Sequence, residues 1–169
     1  MTRRIRLLVL DLDGVITDGT VLLLPSGEEA RSINFRDLDA VTRVRAQGVE
    51  VAFLSGEAGP SSRQIAERFR ITEAVWGAKD KLAALDGLLA RLGVKTEETC
   101  YVGDADRDAP ALQAAGIGLA PADATDRARE AADHVLDTAG GRGVVAEAVT
   151  LLERTCTFPG HVAEESTAS

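Results

Sequence analysis

The chain has 169 residues, 45% of them hydrophobic, a formal net charge of -8 and two cysteines. That length and apolar content suit one domain that buries about two thirds of its unfolded-chain surface. The acidic balance leaves no sequence-wide basic field, which argues against a nucleic acid or a membrane surface as partner.

The N-terminal "MTRRIRLLVLD" is basic and then apolar, but its apolar run is too short for a secretory leader and stops at acid. No other stretch has the length needed to span a bilayer. Within it, "IRLLVL" (5–10) is a continuous aliphatic run, as expected of a strand covered on both faces. "DGTVLLLPSGEEARSINF" (18–35) offers two strand-like pieces around a Pro-Ser-Gly-Glu turn and predicts a β-hairpin inserted after the first strand. Further strands are predicted at "VEVAFL" (49–54), "TEAVW" (72–76) and "TCYVG" (99–103). Helical patterns fill the gaps at 38–47, 61–70, 107–115 and 125–132. The clearest is 80–93, with Leu82, Leu85, Leu88, Leu89 and Leu92 on one face, Asp80 as N-cap and Gly93 as C-cap. "GVVAEAVTLLER" (143–154) repeats the pattern with Val144, Val145, Ala148, Leu151 and Leu152. The alternation predicts an α/β doubly wound fold with a mostly parallel sheet in one domain spanning 1–154. Residues 155–169 lose periodicity, and a flexible tail is expected there unless something docks it. Cys100 lies in an apolar run and Cys156 in the tail, with no ligand spacing. Both are expected as reduced thiols of a cytoplasmic protein. His134 and His161 have no partner pattern that would make them ligands or bases.

In open α/β sheets, ligands gather at the carboxyl ends of the strands. Asp11 and Asp13 follow the first strand, Ser55 and Gly56 the second, Lys81 the third, and Asp104 and Asp108 the fourth. Clustered carboxylates in a crevice are costly without a positive group among them. A hard divalent cation with oxygen ligands fits, Mg²⁺ being the usual choice where phosphate is also bound. Ser55, neighbouring backbone N–H groups and Lys81 supply donors and charge for a phosphoryl group. One carboxylate could then attack phosphorus while a second acts as general acid and base. Asp11 and Asp13, two apart in an extended segment, point to the same side, and Gly14 lets the backbone approach an anion. A calcium loop is disfavoured, because its glycine belongs at the sixth position and Gly14 stands fourth. A receiver-type phosphoacceptor would place its aspartate where Ser55 stands. Taken singly, Lys81 reads as a solvated first-turn lysine and Asp108 as a helix cap.

"DLDGVITDG", "SG", Lys81 and "GDADRD" resemble, in order, the four motifs of the haloacid dehalogenase superfamily of phosphohydrolases. The hairpin, "FRD" (35–37), "WGAKDKL" (76–82), "YVGDADRDAPAL" (101–112) and "GGRG" (140–143) resemble its capless branch, which contains the 3-deoxy-D-manno-octulosonate 8-phosphate and nonulosonate 9-phosphate phosphatases. The resemblance implies a phosphatase of a small phosphorylated sugar acid without a cap domain. Asp11 would be the nucleophile that forms an aspartyl-phosphate, and Asp13 the acid and base. Ser55, Gly56 and Lys81 would bind the phosphoryl group. Asp11, the Asp13 backbone carbonyl and Asp104 would hold Mg²⁺, with Asp108 supporting the metal from behind. The branch also implies a homotetramer in which hairpins help close the sites. Arg36, Glu57 and Arg142 are the expected substrate contacts. Glu57 stands where octulosonate enzymes tend to carry arginine and nonulosonate enzymes glutamate. The "RDLDAV" run departs from the small-residue and glycine pattern of the branch. A non-catalytic regulatory domain of the same fold, or a phosphatase of a different small phosphoester, is the competing reading.

Overall fold

In the computed structural model, which describes residues 2–160, the first aliphatic run is buried throughout. Leu8 and Leu10 join one hydrophobic cluster and Leu7 and Val9 another, because successive side chains of a strand point to opposite faces and both faces are covered. In chain order the elements are β1 (Arg3–Arg4), β2 (Leu7–Leu10), β3 (Leu22–Leu23), β4 (Glu29–Ala30), α1 (Phe35–Ala46), β5 (Glu50–Leu54), α2 (Pro60–Arg68), β6 (Glu73–Val75), α3 (Lys81–Leu92), β7 (Thr99–Val102), α4 (Ala109–Ala114), β8 (Ile117–Ala120), α5 (Asp126–Ala131), β9 (His134–Val135), α6 (Val144–Thr155) and β10 (Cys156–Thr157).

Six strands form one parallel sheet in the order β6-β5-β2-β7-β8-β9. The chain leaves β2 toward β5 and β6, then crosses back to β7 and runs outward the other way. The direction reverses beside β2, and such a switch point opens a crevice at the strands' carboxyl ends. Val41 of α1, Ile65 of α2 and Val149 of α6 belong to the cluster on one face; Leu88 of α3, Leu112 of α4 and Ala128 of α5 belong to the other. This is the predicted doubly wound α/β class. β3 and β4 form the predicted antiparallel hairpin, its turn closed by Leu24 N–H to Glu28 C=O and Gly27 N–H to Leu24 C=O, both 2.9 Å. No cap domain interrupts the described residues, and none of their helices is long and apolar enough to cross a membrane.

Four of the six strands coincide with predicted runs. β8 and β9 were not predicted, because "IGLA" is a short Gly- and Ala-containing stretch of weak β preference and β9 has only two residues. The 155–169 segment departs from the expected flexibility at its start. β10 pairs in parallel with β1, Ile5 N–H donates to Thr157 C=O at 2.9 Å, and Gly160 N–H donates to Gln47 C=O at 2.8 Å. Phe158 supplies the anchor, its ring buried in the cluster shared by α1 and α6. Residues 161–169, His161 among them, lie outside the described residues.

Asp37 ties α1 to α6. Ala146 N–H donates to Asp37 Oδ1 at 2.9 Å, giving a partner to one of the first-turn N–H groups that no helix can satisfy internally. Burial pushes this carboxyl up to about 6, against the pull of backbone donors at Ala146, Val145 and Gly143. Between its ordinary value of 3.8 and about 6, the native state therefore binds more protons than the unfolded chain, and the Asp37 contribution to stability falls as pH rises. Asp37→Asn removes that dependence. In urea unfolding, the stability advantage of the parent over the variant is expected to decline from about pH 4 to about pH 6 and then level off; an advantage that grows with pH contradicts this account.

Candidate active site

Asp11 immediately follows β2, with extended backbone (φ -65°, ψ 160°), and Leu12 N–H donates to its Oδ1 at 2.7 Å. Asp13 is extended too (φ -76°, ψ 123°), with Leu12 between them fully buried. Gly14 then turns the chain at φ +88°, and a Cβ at that residue would overlap the Asp104 carboxylate. The glycine thus makes room for an acid of the site itself, a closer reason than the approach of an external anion. The "GGRG" segment fits in the same way: a Cβ on Gly140 would overlap the Gly14 carbonyl, while Gly141 N–H donates to Val15 C=O at 2.9 Å.

Lys81 starts α3 behind its N-cap Asp80, yet only 4% of it is exposed. Its Nζ lies 2.9 Å from Asp11 Oδ1 and 3.4 Å from Asp108 Oδ1 and donates to the Leu54 carbonyl at 2.7 Å. The structure overturns the solvated-lysine reading. A cation in a first helical turn opposes the helix dipole, and here two buried carboxylates offset that cost.

Asp108 is fully buried and does not act as the helix cap of α4. Tyr101 Oη donates to its Oδ1 at 2.6 Å, and the N–H groups of Asp104 and Ala105 donate to its Oδ2 at 3.2 and 3.0 Å. Both oxygens are therefore engaged. Asp104 follows β7 through Gly103, and its Oδ1 is buried with no hydrogen-bond partner among the described residues. Burial, then the nearby Asp108, pushes the Asp104 carboxyl up to about 7. Asp11 is also held well above the ordinary carboxylate value, by burial first and Asp108 second, with Lys81 opposing.

Asp11, Asp104 and Asp108 bring carboxylate oxygens within 4.8 Å of one another. Lys81 is the only cation that the described residues pair with Asp11 or Asp108, so three carboxylates against one ammonium leave two negative charges unbalanced. An all-oxygen donor set with that charge, and a buried Asp104 oxygen lacking a donor, suits a hard divalent cation. Asp104 Oδ1 is the oxygen left without a partner among the described residues, whereas both Asp108 oxygens are engaged and orient the loop that carries Asp104.

Ser55 follows β5 and is 1% exposed; its Oγ accepts from Glu57 N–H at 3.1 Å, closing the turn through Gly56. The Asp13 side chain stands apart from the acid cluster. Its Oδ1 accepts from Thr17 Oγ1 at 3.1 Å and from Arg31 Nε at 2.8 Å. Arg31, Thr17 and Tyr101 were not expected in the site. Arg31 directly follows the hairpin's return strand and Tyr101 lies inside an apolar run, and neither position carries a pattern of its own. Of the expected substrate contacts, Glu57 is exposed and 3.8 Å from Lys79 Nζ, Arg142 is exposed and 3.7 Å from Asp18 Oδ2, and Arg36 lies on the surface of α1 beside Gly143. None of the three is paired with Asp11, Asp104 or Asp108.

Removing one partner of a buried ion pair leaves the others uncompensated, at a cost of about 3–5 kcal/mol. Lys81→Met is accordingly expected to lower urea-unfolding stability by that order in metal-free protein. A variant as stable as the parent would show that Lys81 does not hold the acids together.

Known proteins resemble this chain in sequence and in fold. Residues 71–148 match the family model for haloacid dehalogenase-like hydrolase. The 3-deoxy-D-manno-octulosonate 8-phosphate phosphatase of Escherichia coli (strain K12) is 36% identical over 88% of this chain and 79% of its own length. The Moraxella catarrhalis 3-deoxy-D-manno-octulosonate 8-phosphate phosphatase, solved in complex with magnesium ion, phosphate ion and KDO, superposes with a TM-score of 0.87 at 27% identity, over 90% of this chain and 87% of that one. The cobalt-bound Haemophilus influenzae phosphatase gives 0.86 at 34% identity, over 90% and 89%. Asp11 and Asp108 converge on Lys81 at the switch point of a capless doubly wound sheet, and nearly the whole chain aligns with phosphatases of that architecture. The chain therefore belongs to the haloacid dehalogenase-like hydrolases, in the branch of the 3-deoxy-D-manno-octulosonate 8-phosphate phosphatases.

Proposed function

We propose that the protein is a Mg²⁺-dependent phosphomonoesterase that hydrolyses a phosphorylated sugar acid through an aspartyl-phosphate on Asp11. The observation that carries this reading is the buried acid cluster, whose charge exceeds what Lys81 balances and whose Asp104 Oδ1 lacks a partner among the described residues. Asp11, Asp104 and the Asp13 backbone carbonyl would hold the metal, which when bound supplies positive charge to the phosphoryl oxygens. Ser55 and the N–H groups of its turn, with Lys81, bind and orient the phosphoryl group.

Lys81 and Leu12 N–H hold Asp11 Oδ1, fixing the carboxylate for attack. As the Asp11 oxygen bonds to phosphorus, the ester P–O bond breaks and its electron pair goes to the leaving oxygen, which takes the proton of the Asp13 carboxyl. The Asp13 carboxylate then removes a proton from water as that water's oxygen bonds to phosphorus. The P–O bond to Asp11 breaks, returning its carboxylate and releasing phosphate. Lys81 stays paired throughout.

The relatives named above support 3-deoxy-D-manno-octulosonate 8-phosphate as substrate. Glu57, where those enzymes tend to carry arginine, favours a nonulosonate 9-phosphate as the second reading. The expected result of a phosphate-release panel is metal-dependent turnover fastest on one of these two esters, abolished by Asp11→Asn without loss of fold. Turnover by Asp11→Asn near the parent's rate would remove Asp11 as nucleophile, and release only from unrelated esters would remove the sugar acid.

The working form is a homotetramer assembled through the hairpin, where Leu22 and Leu23 are 61% and 73% exposed. Adjacent exposed leucines on a two-stranded ribbon are costly in water unless covered. Leu23→Asp is expected to shift sedimentation from tetramer toward smaller species. An unchanged tetramer would place the contact elsewhere, and a monomeric parent would dismiss the assembly.

A further inference from the structure

The hairpin folds back on the site of its own chain through Arg31. This side chain is only 5% exposed. Its guanidinium donates from Nε to Asp13 Oδ1 at 2.8 Å and from Nη1 to Glu29 Oε2 at 3.0 Å and to Ser61 Oγ in the first turn of α2. Three partners on three different elements fix the planar fork in one orientation, which a lysine's point charge would not achieve. Beside it opens a cavity of about 440 Å³ between hairpin and α2, lined by Arg31, Glu29, Glu57, Ser61 and Gln64 among others. Arg31 thus touches Asp13 on one side and a cavity of substrate size on the other.

We infer that Arg31 is the positioning residue for Asp13, and so a determinant of proton delivery to the leaving group. The inference rests on the phosphatase reading above. The two oxygens of Asp13 are treated differently: Oδ1 accepts from Arg31 and Thr17, whereas Oδ2 takes no hydrogen bond from any described residue. One oxygen anchors the carboxyl group, and the other is free of donors from the described residues. An acid rotating about its χ angles would meet the leaving oxygen in only a fraction of encounters, and fixing it removes that loss. Arg31 belongs to the hairpin and Asp13 to the loop after β2, so the position of the hairpin sets the geometry of the acid. A purely structural Arg31, tethering the hairpin to α2, would support every phosphoester reaction alike.

Benzyl phosphate and 4-nitrophenyl phosphate separate the two roles. They are similar in size, but the benzyl alkoxide needs a proton to leave and 4-nitrophenolate does not. kcat/KM reports the phosphorylation step, before water enters. In Arg31→Met, kcat/KM on benzyl phosphate is expected to fall by about 10-fold or more, a share of the roughly 10²–10⁴ that general acid–base catalysis supplies. On 4-nitrophenyl phosphate it is expected to fall by less than about 3-fold, and that retained activity reports an intact fold. Arg31→Lys is expected to recover part of the benzyl loss. Equal losses on both esters in Arg31→Lys, or no loss on either in Arg31→Met, would overturn the inference while leaving the phosphatase reading in place. A parent protein that turns over neither these esters nor a phosphorylated sugar acid would overturn both.

Discussion

The site depends on one buried ammonium. Lys81 Nζ sits 2.9 Å from Asp11 and 3.4 Å from Asp108, in a place where either an isolated cation or isolated carboxylates would shed their charge rather than stay ionised. Each needs the other. The sheet order follows from the same requirement: β2 must be central, flanked by β5 and β7, for the ends of three strands and the start of α3 to converge on one point. The pairing is incomplete by design, since one ammonium cannot balance three acids. What remains is a site whose protein groups hold excess negative charge, with Asp11 and Asp104 both biased toward protonation until a cation arrives.

Around that centre, rigidity comes from backbone contact. Gly14 and Gly140 let the loops after β2 and β9 lie against each other and against Asp104, at distances a single Cβ would forbid. Asp108 is saturated by Tyr101 and by two backbone N–H groups. It therefore holds the Asp104 loop and has no oxygen left over for a metal. Loops in most proteins absorb motion. These are clamped, as phosphoryl transfer requires when positioning and electrostatics supply most of the catalysis.

Much of this was legible in the sequence because it follows simple periodicities. Short apolar runs marked β2, β5 and β7, Asp80 and Gly93 bracketed α3, and polar residues at successive strand ends marked Asp11, Ser55 and Asp104. Lys81 was legible through a local conflict, a cation in a helix's first turn. β8 and β9 were not legible, because their place in the sheet is fixed by neighbouring strands and not by their own side chains. The docking of residues 156–160 rests on backbone pairing with β1 and Gln47 and on one buried aromatic, Phe158, none of which periodicity can register. Arg31 and Tyr101 were missed for a related reason: each reaches its partner only through the tertiary fold, Arg31 across 18 positions and Tyr101 from within a strand that reads as core.

The most direct measurement is a calorimetric titration of metal-free protein with Mg²⁺ near pH 7, in two buffers of different ionisation enthalpy so that released protons are counted. The account predicts saturable binding to one site per chain with release of protons, because the Asp104 carboxyl is pushed up to about 7 before the metal binds. It also predicts loss of that binding in Asp104→Asn with the fold intact. Absence of saturable binding, or binding undiminished in Asp104→Asn, would contradict the claim that the acid cluster around Lys81 is built for a divalent cation.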